Sequence, residues 1–268
     1  MIAGLLLAGG VLAGAFGSLL GLGGGLLIVP LLTLGFGLPL REAVGVSLVC
    51  VIMTSSASAG VYLERHIANL RLGMRLELFT AAGALIGGSI AFLLDERLLA
   101  LLFAVVLGYV ALMMGRSALR TSRIGDQPTD PPATVEAGAF GRSDDYVVRR
   151  LPAGVAGSVG AGVLSALLGI GGGIIKVPLM HLVMGVPLRV ATATSNLMIG
   201  ITASASAVIY LLRGGIDPYV AGPTAIGVFV GANLGSRLGH HVQVRYLQLL
   251  FVLVLGYTAV EMVLRAIR

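Results

Sequence analysis

The chain has 268 residues, of which 57% are hydrophobic and only 11% charged, with a mean hydropathy of +0.99. A soluble domain carries about 25% charged residues, so this composition excludes an ordinary globular protein and identifies a polytopic membrane protein. The net charge of +6 comes mainly from arginines that flank apolar stretches, a topology pattern that implies no nucleic-acid partner, and the single Cys50 excludes an intrachain disulfide framework.

In chain order, four apolar segments come first, at about residues 2–36, 43–63, 73–94 and 97–115. The opening stretch resembles a secretory signal in hydropathy but lacks a basic n-region, and it is read as part of the fold. A polar run rich in Pro and Gly, residues 121–148, follows without apolar periodicity and reads as a linker. Four more apolar segments occupy about 151–184, 191–212, 218–239 and 246–264.

The second set repeats the first. Shifted by 148 positions, the sequence aligns with itself without a gap from about residue 8 to 114. Gly21 falls on Gly169, Pro30 on Pro178, Ser47 on Ser195, Thr54 on Thr202, Tyr62 on Tyr210 and Gly83 on Gly231. The expected architecture is therefore all-α, with two pseudo-symmetric transmembrane halves (1–120 and 149–268) joined by the linker. Eight spans follow if each opening segment crosses once, and up to ten if each crosses twice. A continuous helix over the opening segment would be about 50 Å long, against a hydrocarbon core of about 30 Å. It must tilt, break or turn back. Single crossings make the repeats parallel and double crossings make them inverted. Arginine placement does not choose, because Arg213, Arg265 and Arg268 join the basic side in one case and Arg189, Arg237 and Arg245 in the other.

Each opening segment holds a glycine cluster followed by Val-Pro: "GLGGGLLIVP" at 21–30 and "GIGGGIIKVP" at 169–178. Gly21, Gly23, Gly24, Gly25 and Pro30, with Gly169, Gly171, Gly172, Gly173 and Pro178, are poor at sustaining a helix. Glycines also serve close helix packing, but two clusters in two overlong segments favour a pair of discontinuous helices. Their free amides and positive ends suit an anion. Lys176, the only lysine, lies between the second cluster and Pro178, where the first copy has Ile28. An ammonium there faces a polar cavity or an anion, or else snorkels to an interface.

The second segment of each half carries a hydroxyl stripe. Ser47, Thr54 and Ser58, and equally Ser195, Thr202 and Ser206, fall on one helix face, with Asn196 adjacent. These side chains either line an anion pathway or bond back to their own helix. Tyr62 and Tyr210 end these segments as belt candidates. Arg65 and Arg213 follow as vestibule or topology charges. His181, Glu77 and Glu261 are weaker candidates for moving a coupling proton. No metal-ligand cluster, catalytic triad or nucleotide motif is present, so neither an enzyme nor a cofactor is expected.

The doubled motif, each copy followed by Pro-Leu-Arg (39–41 and 187–189), resembles the TauE/SafE family of sulfite-exporter permeases over the whole chain outside the linker. The resemblance implies a multi-pass carrier of the inner (cytoplasmic) membrane that takes a small sulfur-containing anion such as sulfite, thiosulfate or a sulfonate. A channel-like conduit or a membrane assembly component would be the alternatives.

Overall fold

The computed structural model describes residues 2–20, 24–64, 68–121, 148–238 and 244–267. The polar linker expected at 121–148 lies almost wholly outside them, as do Gly21 and Gly23 of the first motif. The described elements are all helical. The first half contains α1 (Ile2–Leu20), α2 (Gly25–Pro30), α3 (Leu40–Glu64), α4 (Leu70–Ala91) and α5 (Glu96–Thr121). The second half contains α6 (Leu151–Leu168), α7 (Gly173–Pro178), α8 (Leu188–Leu212), α9 (Pro218–Leu238) and α10 (Val244–Ile267).

The overlong segments do break. Gly24 and Gly172 cap α2 and α7 with left-handed backbone, at φ 70° and 76°. An L-residue with a Cβ pays a steric penalty there that glycine does not. Pro30 and Pro178 then end the short helices, and the missing proline N–H gives way to one wider π-helical turn, at Leu31–Gly35 and Leu179–Val183. Each turn closes on a left-handed glycine, Gly37 or Gly185. The amide one residue later reaches back six residues, from Leu38 to Leu32 O (3.1 Å) and from Val186 to Met180 O (2.9 Å). This is the helix-ending bond that glycine at C′ allows.

The break is also a reversal. Gly172 lies beside Ala161 and Ser165, Gly157 beside Leu179, and Gly154 beside Met184. The Arg149 amide donates to Met184 O at 3.0 Å, so the chain has returned to the level at which α6 begins. In the first half Gly24 lies near Ala13, and Gly9 against Leu31. α1–α2 and α6–α7 are thus antiparallel hairpins.

Helix direction follows from similar contacts. α1 runs parallel to α9, with Gly10 against Thr224, Gly227 against Val11 and Gly235 against Ser18. α4 runs parallel to α6, with Gly83 against Val159 and Gly87 against Val163. Glycines four apart let these backbones touch, a packing mode favoured where lipid offers no hydrophobic drive between helices. α3 and α8 cross antiparallel at the centre, where Ser55 donates to Asn196 O at 2.6 Å. α5 and α10 pack on each other at the side.

The amphipathic pattern is inverted relative to a soluble bundle. On α4, Leu72, Leu76 and Glu77 are buried, while Met74 and Leu78 are each 71% exposed. The apolar outer faces suit lipid. Five described helices are long and apolar enough to cross a membrane, within α3, α4, α5, α6 and α8. The protein is a multi-pass membrane protein.

Candidate functional site

The two glycine turns meet at the crossing of α3 and α8. A Cβ added to Gly25 would stand 2.5 Å from Gly169 O and 2.7 Å from Val51 Cγ2, so only glycine permits this approach. Ser47, fully buried on α3, places its hydroxyl 2.8 Å from Gly169 O and 3.2 Å from Gly25 O, tying both turns to one side chain. Its counterpart Ser195 on α8 lies beside Gly173, about as close as 3.6 Å from a Cβ built there. Ser195 is 1% exposed, and its hydroxyl has no partner among the described residues.

The second turn adds charge. Lys176, 1% exposed, projects from α7 and donates to Glu77 Oε2 at 3.0 Å and to Thr202 Oγ1 at 2.5 Å. Thr202 in turn donates to Glu77 Oε1 at 2.5 Å, closing a ring of three side chains from α7, α8 and α4. An ammonium has three donors, so one N–H of Lys176 is left over among the described residues. The stem of Lys176 passes Gly172: a Cβ at Gly172 would meet Lys176 Cε at 3.5 Å and Ser165 Cβ at 3.2 Å.

α6 supplies two further hydroxyls. Ser158 and Ser165 are each 1% exposed and have no partner among the described residues. Seven residues apart, they share a helix face. Tyr210 on α8 donates to Ala166 O at 3.1 Å, and since α6 and α8 both run parallel to α4, the same register sets Ser158 level with Thr202. Unpartnered buried hydroxyls are uncommon in native interiors and need a reason.

The remaining sequence candidates fall as follows. Gly24 and Gly25 shape the first turn, and Gly171, at φ 79°, packs against Ile199 and Val51. Thr54 is 4% exposed and donates within its own helix to Val51 O at 2.9 Å, and Ser206 donates to Thr202 O at 3.1 Å. Asn196 is 6% exposed and offers its carbonyl to Ser55. The side chains of Ser58, Tyr62 and Arg189 lie outside the described residues. Tyr210 is not at an interface: it is fully buried and packs on Phe92, ring centroids 5.0 Å apart. Arg41 and Arg213 both stand over that Phe92 ring, at 5.3 and 5.6 Å. His181 points Nδ1 at Val186 O within its own hairpin.

Sequence reasoning set Lys176 facing a cavity or an anion and left Glu77 among the weaker candidates; the structure joins the two. Ser158 and Ser165 were not singled out at all, although their seven-residue spacing was readable. A cavity of about 720 Å³ lies elsewhere, lined by Pro39, Asp95, Arg97, Ala100, Met262 and Arg265, and shares no residue with this cluster.

Comparison with known proteins gives this geometry a context. The family model described as Sulfite exporter TauE/SafE matches residues 6–262. The probable membrane transporter protein YunE of Bacillus subtilis is 26% identical over 254 residues, covering 92% of each chain. A probable membrane transporter protein of Methanocaldococcus jannaschii is also 26% identical, covering 97% of this chain and 95% of its own. No solved structure matches. With a family match that spans both hairpins and every helix of the site, this chain belongs to the sulfite exporter TauE/SafE family of membrane transporters.

Proposed function

We propose that the protein is a secondary transporter of a small sulfur-containing anion (sulfite, thiosulfate or an organosulfonate), which it binds where the two helix breaks meet. The carrying observation is the second turn: α7 starts at Gly172–Gly173 between the unpartnered hydroxyls of Ser165 and Ser195, with the Lys176 ammonium one turn further on. The first two helical amides of α7, from Gly173 and Ile174, precede its first intrahelical donors, Ile175 and Lys176. Amides, hydroxyls and one cation hold an oxyanion without enclosing it permanently. The family description names sulfite export, and the relatives are named as transporters.

Two inverted repeats, residues 1–120 and 149–268 around the 121–148 linker, would carry this site in ten helices, each hairpin returning to the side it entered from. Helix direction supports inversion, since α1 beside α9 and α6 beside α4 are parallel pairs that exchange when the halves exchange. That inversion puts Arg71, Arg75, Arg149, Arg189, Arg237 and Arg245 on one side, the cytoplasmic side of an inner membrane. Alternating access then exchanges the exposure of the two halves around a fixed centre.

Counterflow in proteoliposomes tests the reading. A carrier preloaded with unlabelled anion accelerates uptake of labelled anion, whereas a pore shows no such acceleration. Binding titrations with sulfite, thiosulfate and ethanesulfonate should find at least one ligand, and Lys176→Ala should weaken it at least tenfold. An unaltered affinity in that variant removes Lys176 from the site.

A further inference from the structure

We propose that Glu77 takes up one proton for each anion bound at the second turn, so that Lys176 exchanges its carboxylate partner for the anion and the protein is a proton–anion symporter. This rests on the anion-carrier reading above and adds the coupling ion and the residue that carries it.

The reasoning is a charge balance. Lys176 and Glu77 form a neutral pair whose side chains are 1% and 5% exposed. An anion placed against Lys176 while Glu77 stays ionised would leave one net negative charge in a low-dielectric interior, which is strongly disfavoured. One proton delivered to a Glu77 carboxylate oxygen restores neutrality: the pair goes from +1 and −1 to a Lys176 cation, a neutral carboxylic acid and a monoanion. No bond other than that O–H is made or broken.

The hydrogen bonds accommodate both states. With Glu77 ionised, Thr202 accepts from Lys176 and donates to Glu77. With Glu77 protonated, its O–H donates to Thr202 Oγ1, and the Thr202 hydroxyl turns to Met198 O, 3.1 Å away. The Lys176 N–H released from Glu77 joins the spare one toward Ser165 and the start of α7.

No other group on the surrounding helices competes for the proton. α6 has no titratable side chain from Leu151 to Leu168. On α8 the titratable groups are Arg189, near the start, and Tyr210, two turns beyond Thr202 and bonded to Ala166 O. On α4 itself, Arg71 and Arg75 are exposed, and on the α7 hairpin His181 is engaged with Val186 O. The first turn corroborates the assignment by contrast. Ile28 and Ala225 stand at the positions equivalent to Lys176 and Glu77, so both charges are present around the second turn and both equivalents around the first are uncharged.

Isothermal titration of the purified full-length protein with ethanesulfonate tests this, because a sulfonate keeps one negative charge across the range from about pH 5.5 to 8.5. Repeating each titration in two buffers of different ionisation enthalpy counts protons directly. The expected result is uptake of one proton per anion on the alkaline side, with Kd rising about tenfold per pH unit. In Glu77→Gln the Kd should lose its pH dependence and no proton should be taken up. Binding to the unmodified protein without proton uptake and with constant Kd overturns the coupling and leaves the carrier reading standing. A pH slope that persists in Glu77→Gln overturns the assignment to Glu77. Failure of ethanesulfonate, thiosulfate and sulfite all to bind the folded protein defeats the carrier reading and this one with it.

Discussion

The ion pair between Lys176 and Glu77 makes a sharp prediction about stability. Both side chains are almost fully withdrawn from solvent, and the ring they form with Thr202 joins three helices from the two halves. Removing one partner leaves a buried charge without its counter-ion, which costs about 3–5 kcal/mol in comparable interiors. Replacing both by apolar residues is often neutral or stabilising, and the chain itself offers a template, since Ile28 and Ala225 occupy the equivalent places. Lys176→Ala and Glu77→Ala should each destabilise by about 3 kcal/mol or more, while Lys176→Ile combined with Glu77→Ala should lie within about 1 kcal/mol of the unmodified protein. Reversible unfolding in mixed micelles, run as a double-mutant cycle, gives the coupling directly. Single variants that cost less than about 1 kcal/mol and add without coupling would refute the claim that these two groups are a desolvated pair. The double variant should in addition fold well and bind no anion, which separates the pair's part in binding from its part in packing.

Ser195→Ala removes a hydroxyl with no partner among the described residues, so thermal stability should be unchanged or slightly raised while anion affinity falls several-fold in a binding titration. Ser47→Ala should behave in the opposite way, costing about 1–2 kcal/mol in an unfolding assay because the Gly169 and Gly25 carbonyls lose their shared donor. Gly25→Ala drives a methyl group into Gly169 O and Val51 and should cost about 1–3 kcal/mol. Gly160→Ala, where a Cβ meets nothing within 4 Å, should be harmless in the same assay. In a chain freed of Cys50, cysteines introduced for Arg71 and Asp217 should react with an impermeant maleimide from opposite sides of the membrane; labelling from one side would refute inverted repeats.

The glycine breaks and the prolines that end them were legible because each depends on local backbone chemistry. Three glycines in a row and a proline five residues later leave a helix few options whatever surrounds it. The reversal at those breaks was not legible. A broken helix that continues across and one that turns back share the same local residues, and the arginines tie between the two outcomes. Only a long-range contact, such as the bond from the Arg149 amide to Met184 O, distinguishes them. The partner of Lys176 was hidden for a related reason. Glu77 lies 99 positions away in the other half, and nothing in its own helix marks it as bonded. One signal was available: the two buried charges stand where the shifted copy has Ile28 and Ala225.

That contrast bears on how the two turns differ. A symmetric pair of anion sites, each with its own lysine, would set two like charges near one another at the crossing of α3 and α8, and each would need its own carboxylate. With the charges around the second turn alone that repulsion does not arise, and the first turn is apolar at Ile28, which is fully buried. Ser47 holds one carbonyl of each turn, Gly25 O and Gly169 O, while Ser195, in the equivalent place, has no partner among the described residues. The two equivalent serines thus play different parts: Ser47 fastens the two turns to each other, and Ser195 beside the second turn keeps its hydroxyl free of any partner among the described residues.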